Sequence, residues 1–430
     1  MRQFARFLVR AAILAAILPG SGSAGWLELD ENMPYDSVWG VHLADHDHRF
    51  AVGTNTDGSR GTIYWRDPII MWEYAPLPTA YEKYNYQGVW AVESSVPNTF
   101  IGWAVGWKIP ESPNDPQRYK GIVLKFEWNA TTWEWTWTDQ TGNVSWPSTE
   151  APINCTPFLD VSFADANHGY ICAGNGYVLT TTNGGQNPGD WIARKMIYDT
   201  QYSSTFLTQW FWGVWADPED PNKAWVCADG QGFLANTTNG GASWNYVRPP
   251  REAPDGFQRR YTGIYDIAEY LGWHRCSDIW CKDFDHPLVP LCFAHVGLKL
   301  PNGEWRAEKP VDLYEDYQWF FGCGSHADAI VGERAWVCGV DCLICQYHWW
   351  GTAGTWHPEF NVPGGGYHCY DVDCVRHPDL NHIWGNAVSG GYGVIFRRLG
   401  SGLGSWEPEG APGPPPTDEP GQVLGLTAQY

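Results

Sequence analysis

Two stretches decide the architecture: Phe158-Leu-Asp-Val-Ser-Phe163 with Gly169-Tyr-Ile-Cys-Ala173 and Thr180-Thr-Thr-Asn-Gly-Gly185…Trp191, and Phe211-Trp-Gly-Val-Trp215 with Ala224-Trp-Val-Cys-Ala228 and Asn236-Thr-Thr-Asn-Gly-Gly-Ala-Ser-Trp244. Each reads as a short β run, a turn, a second run, a third, an Asn-Gly-Gly turn and a Trp opening a fourth. Two such copies in tandem describe a four-stranded antiparallel unit that repeats.

Working outward, a Trp in the fourth-strand position recurs at Trp72, Trp133, Trp191, Trp244, Trp305, Trp356 and Trp406. First-strand anchors recur at Val38, Val89, Val161, Val214, Ile264, Cys323 and Val372. A lone unit of this kind cannot bury both faces, whereas radial stacking buries them and shields the strand edges. The expected fold is all-β: a single β-propeller of seven four-stranded antiparallel blades over residues 25–407. The helical spacing of Ile264, Ile267, Ala268 and Leu271 interrupts the fifth copy. Trp26-Leu-Glu-Leu reads as a strand that closes the ring in the last blade, a place for which Trp406 competes. Residues 408–430, with Pro412 and Pro414-Pro-Pro416, read as a tail outside the ring.

The Thr237–Trp244 turn resembles the Asp-box of sialidase-like propellers, with Asn239 in the acidic position. The series Leu159-Asp-Val-Ser-Phe163, His168-Gly-Tyr170, Gly174 and Thr181-Thr-Asn-Gly-Gly185 resembles repeats of the Ycf48/HCF136-like group. This resemblance implies a propeller and, more loosely, an assembly or docking role, because propellers host unrelated functions. The Arg-Ile-Pro motif of sialidases is absent, so the resemblance transfers no catalytic residue. In the turn itself Asn239, Gly241 and Trp244 are expected to serve folding: Gly241 to take a conformation that a Cβ would strain, Trp244 to cover a blade's outer core.

The composition narrows the partner. A net charge of −21 disfavours nucleic acid and anionic lipid surfaces. Arg2, Arg6 and Arg10 followed by the apolar run Ala11–Leu18 and the small residues Gly22-Ser23-Ala24 read as a signal peptide over residues 1–24. The expected location is therefore periplasmic, extracellular or lumenal, with no transmembrane segment in the mature chain.

Twelve cysteines in an exported chain suggest disulfides. Cys172, Cys227, Cys292 and Cys338, however, fall in the second-strand slot that holds Val52 and Val105, a small apolar position that suits a packed thiol equally. Cys323 and Cys338 are placed to face each other in one hairpin. His42, His46 and His48 form the densest histidine cluster, the candidate metal ligands of a chain otherwise expected to hold no metal or cofactor. Asp160 and Asp371 occupy the slot before the first-strand anchor, where other copies carry Ser37, Gly88, Gly213, Gly263 and Gly322. They are the candidate carboxylate pair of a glycosidase, or acceptors for unpaired inner-strand N–H groups. The aromatic surplus at Trp349-Trp350 and Trp210-Phe-Trp212 exceeds one buried ring per strand and points to a binding surface. The favoured reading is a non-enzymatic extracytoplasmic scaffold or assembly subunit docking a protein partner or multisubunit complex, with a carbohydrate-binding or glycoside-hydrolysing propeller as the alternative.

Overall fold

A computed structural model describes residues 37–408, apart from single positions and connecting segments, of which the longest are 148–155, 197–209, 248–275, 309–319, 361–368 and 377–384. Among the described residues there are seven sheets, each built of four consecutive antiparallel strands. Their innermost strands are Ser37–Leu43, Tyr84–Glu93, Phe158–Phe163, Phe211–Ala216, Trp280–Cys281, Phe320–His326 and Cys369–Arg376. Each innermost strand lies against those of the sheets before and after it, and Cys369–Arg376 lies against Ser37–Leu43, so the sheets close into a ring of blades.

The sequence produces this shape through burial on both faces of each blade. Strands such as Gly169–Ala173 and Ala224–Ala228 are buried at every position, because each face packs on a neighbouring blade. The core is therefore a set of inter-blade layers. Between the second and third blades Trp103 stacks on Phe163 at 3.6 Å between ring centroids, with Val161, Leu179 and Trp191 around them. Gln140 is buried in that layer and satisfied there: its Oε1 accepts the indole N–H of both Trp103 and Trp191 at 3.2 Å. Its amide donates to the Gly184 carbonyl at 2.8 Å.

Several expectations change at the level of register. Six of the seven innermost strands carry a β-bulge two residues before the anchor, for example between Tyr86 and Gly88 or Phe211 and Gly213. In the first blade the bulge falls between Val38 and Gly40, so the anchor is Val41 rather than Val38 and the small slot is Gly40 rather than Ser37. The fifth blade opens at Trp280, so its anchor is Ile279 and its slot Asp278; Ile264 and Gly263 lie outside the described residues. Trp133 sits in the turn before its strand with φ +64°, and Trp356 lies mid-strand opposite Tyr347. Trp406 opens the outermost strand of the last blade, taking the place for which Trp26 competed. Val144–Ser145 adds a fifth, parallel strand outside Trp191–Lys195. Trp26, the signal segment and the tail from residue 409 lie outside the described residues.

The expected Cys323–Cys338 facing pair does not form. The bulge between Phe320 and Gly322 shifts register by one, so Cys338 faces Gly322 while Cys323 faces Val337. Cys172, Cys227, Cys281 and Cys323 are free thiols with buried side chains, and no bridge joins these to one another or to Cys276, Cys338 or Cys345. Cys172, Cys227 and Cys338 do occupy the slot opposite Asp160, Gly213 and Gly322. In the fifth blade, Leu288 pairs with Trp280, and continuing that register puts Pro290 in the slot. Cys292 lies beyond it, outside the described residues.

The two Asn-Gly-Gly turns are built as their sequence requires. In both, the Thr hydroxyl at the start accepts the second Gly N–H: Thr181 from Gly185 at 2.9 Å and Thr237 from Gly241 at 3.0 Å. Gly185 and Gly241 have φ of +68° and +76°, which glycine adopts without steric cost. Trp244 is half-buried and packs on the layer between the third and fourth blades.

Candidate functional site at the central channel

At the end where the innermost strands begin, residues of all seven blades line one cavity of about 410 Å³. Its wall has three levels. At the end where innermost strands begin, Trp39, Leu159, Trp212, Phe321 and Tyr370 form a mouth with Trp107 and Trp210. The rings run in two arcs. Trp39 meets Tyr370 at 4.7 Å and Tyr370 meets Phe321 at 5.2 Å; Trp212 meets Trp210 at 5.6 Å and Trp210 meets Trp107 at 6.2 Å. All are partly exposed.

One residue further along each strand lies a ring of four Gly and three Asp in which no two Asp are adjacent: Gly40, Gly88, Asp160, Gly213, Asp278, Gly322 and Asp371. Each Asp sits against a glycine backbone of the preceding blade. A Cβ on Gly88 would lie 2.7 Å from Asp160 Cα, one on Gly213 2.6 Å from Asp278 Cα, and one on Gly322 2.5 Å from Asp371 Cα. None of these three glycines leaves room for a Cβ, so each Asp packs directly on glycine backbone.

Each carboxylate is used identically. One oxygen accepts the N–H of its own anchor: Val161, Ile279 and Val372, at 2.8, 2.7 and 2.8 Å. The other accepts the anchor N–H of the next blade: Val214, Cys323 and Val41, at 2.9, 2.8 and 2.8 Å. Those N–H groups lie on the axial edge of the strand, where no further strand can pair with them. Burial, reinforced by the charge of Asp278, pushes the Asp160 and Asp371 carboxyls well above the usual carboxylate range. Asp278 is pushed up to about 6, chiefly by burial.

At the third level Asp373 accepts Leu43 N–H at 2.9 Å, and Ser162 plays the same part toward Ala216 N at 3.0 Å. His42 stacks on Trp90 at 4.0 Å, with Nδ1 2.9 Å from Asp373 and Nε2 2.9 Å from the Ala91 carbonyl.

The sequence candidates therefore separate. Asp160 and Asp371 lie in one ring, but with Asp278 as a third equivalent member. Trp210 and Trp212 lie at the mouth. Trp349 and Trp350 end the third strand of the sixth blade, at the hairpin toward Ala353, which is the opposite face of the ring; their side chains lie outside the described residues. His42 faces the channel, whereas His48 belongs to a turn, where Asp45 accepts its Nδ1 at 2.8 Å. The same Asp-x-x-His turn recurs as Asp165–His168 and Asp283–His286. His46 lies outside the described residues, and no group of three potential metal ligands converges among those described. Sequence reasoning missed Asp278, Asp373, Trp39, Phe321 and Tyr370. Asp278-Ile-Trp-Cys-x-Asp283-x-x-His286 repeats Asp160-Val-Ser-Phe-x-Asp165-x-x-His168, a signal that locates the fifth blade.

No family model matches the chain, and no curated protein does. Solved structures do share its fold. YCF48 bound to D1 peptide is 13% identical, with a TM-score of 0.53 over 89% of this chain and 98% of that one. YCF48 from Cyanidioschyzon merolae is 15% identical, with a TM-score of 0.54 over 87% of this chain and 98% of that one. The fold is that of a Ycf48-like β-propeller. U3-55K, at 6% identity and a TM-score of 0.50, covers 85% of this chain and 89% of its own. At such identities the likeness concerns the fold. Every blade contributes residues to the channel, and its chemistry comes from this chain's own residues.

Proposed function

We propose that this chain is a non-enzymatic, exported scaffold that docks a protein partner at the aromatic mouth of its central channel. The carrying observation is the convergence of Trp39, Trp107, Trp210, Trp212, Phe321 and Tyr370 on one partly exposed rim. Half-buried Trp and Tyr on a rigid frame supply large contact area at low entropic cost, which is the character of interface hot spots. The fold supports the reading, since one protein that shares it is described as bound to a peptide. Export rests on the N-terminal Arg-rich and apolar segment. A non-enzymatic role fits carboxylates whose oxygens already hold backbone N–H groups.

The test is affinity capture from the native source with the unaltered protein, Trp212→Ala and Trp39→Ala, each verified as folded. Loss of the same captured protein from both variants is expected. Equal capture by all three overturns the reading, and binding on a glycan array or turnover in a hydrolase screen would put the carbohydrate reading in its place.

A further inference from the structure

Resting on that docking site, we infer that the channel receives an arginine side chain carried on an extended segment of the partner. Three observations on the wall carry the choice. The first is charge: Asp160, Asp278, Asp371 and Asp373 all line the cavity, while among the described residues no Lys or Arg does and His42 is engaged by Asp373. A cation entering from the mouth meets carboxyl oxygens that can accept its N–H groups. The second is the rim, whose indole and phenol faces attract a cation, and a planar guanidinium most of all.

The third is the spacing of the acids. They sit on alternate blades, separated by Gly213 and Gly322, and no three converge closely enough to hold a bare metal ion. Each carboxylate oxygen spends one lone pair on a backbone N–H and keeps capacity for a second donor. A dispersed set of acceptors suits a forked, multi-donor cation, and guanidinium offers five N–H donors where ammonium offers three. The chain's own C-terminal segment cannot be the occupant on these grounds: residues 409–430 contain acidic residues and no Lys or Arg.

The groups facing an incoming cation are Asp160, Asp278, Asp371, Asp373 and His42. Because burial raises the first three carboxyls, a bound cation should restore their ionised form and release protons. Affinity should therefore rise between pH 5 and 7.5 and fall with added salt.

The experiment is selection from a display library of random heptapeptides on the immobilised folded protein. The selected peptide is then resynthesised with each arginine replaced by lysine or by citrulline, the neutral isostere. Enrichment of arginine, at least tenfold weaker binding of the citrulline peptide, and a smaller loss for lysine are expected. Asp160→Asn with Asp371→Asn should weaken the arginine peptide at least fivefold and leave the citrulline peptide unchanged. If that double variant does not fold, the citrulline and salt arms on the unaltered protein decide alone. Selection of neutral or acidic peptides, or equal binding of the citrulline form, overturns the inference while leaving docking intact. Failure to select any peptide overturns both.

Discussion

Asp371 ties the last innermost strand to the first: one carboxylate oxygen accepts the Val41 N–H at 2.8 Å across 330 positions of chain, while the other holds Val372 N–H. Asp160 and Asp278 make the same contact between blades that are already consecutive in the chain. Only at the Asp371 seam do blades meet that the chain does not join directly.

Removing the latch leaves two axial N–H groups without their acceptor. Asp371→Ala should lower stability by ~1–3 kcal/mol, the range for leaving a buried donor without its partner. Asp371→Asn, which keeps one acceptor oxygen, should lower it less. Urea unfolding followed by tryptophan fluorescence measures both. Because the seam lacks chain continuity, Asp371→Ala should cost at least as much as Asp160→Ala; the reverse order would show that the latch does not govern closure.

The turn after Thr237 allows two effects of a Cβ to be separated. Gly240 and Gly241 both have positive φ, +68° and +76°. A Cβ on Gly240 has nothing nearer than Asn222 Oδ1 at 3.6 Å, whereas one on Gly241 would lie 2.5 Å from Thr180 Cγ2. Gly240→Ala should cost only the left-handed strain, ~1–2 kcal/mol. Gly241→Ala should add an overpacking cost of ~1–3 kcal/mol. Thermal melts of the pair give the difference, and equal melting temperatures would remove the Thr180 contact from the account.

The repeat, the four-stranded unit and the role of the Asn-Gly-Gly turn were legible because they are local: bulge, hairpin and turn each lie within about a dozen residues. The fifth blade was obscured by the helical spacing of Ile264–Leu271, although the Asp278–His286 motif marks it. The first blade was misplaced by three residues because Trp39 occupies a bulge that no propensity signals. Channel and rim were hidden for another reason. Trp39 and Tyr370 touch, yet only ring closure brings them together, and no window of sequence contains both. The carboxylate ring was half visible, as Asp160 and Asp371, because an acid in a slot otherwise filled by glycine stands out. Its packing on glycine backbone appears only once the blades are assembled.

Cysteine chemistry offers a separate check. Burial pushes the Cys172, Cys227, Cys281 and Cys323 thiols well above their ordinary range, so they should be unreactive in the folded ring. A colourimetric thiol reagent should label these four only after denaturation. Cys227 is fully buried opposite Gly213, and Cys227→Val nearly conserves its volume. The expected cost is under ~1.5 kcal/mol. A loss of ~2–5 kcal/mol, the range for a removed disulfide, would instead indicate that Cys227 is bridged.

The last prediction concerns pH and isolates Asp278. Burial raises its carboxyl from 3.8 to about 6 in the folded chain. Between those two values the folded state binds a proton that the unfolded chain has released, so by linkage its contribution to stability is complete below about 4. That contribution is lost as pH rises through about 6. A shift of this size corresponds to ~3 kcal/mol if the site were dry, and water in the channel reduces it to ~1–3 kcal/mol. Other acids act in the opposite direction: hydrogen bonds to His48 hold Asp45 below its usual value despite burial, and Asp165 behaves alike with Asn167 and His168. The raw stability profile of the unaltered protein therefore mixes signs. Comparison with Asp278→Asn removes the mixture, since the amide stays neutral at every pH and leaves Asp45 and Asp165 in place. The amide's loss of one acceptor subtracts a constant. The stability of Asp278→Asn relative to the unaltered protein should thus improve by ~1–3 kcal/mol between pH 4 and pH 7.5, half of it by about pH 5 and nearly all of it above about 6. Urea midpoints at half-unit pH steps measure it. A flat difference would mean that Asp278 titrates alike folded and unfolded, and that the channel is wetter than its burial implies.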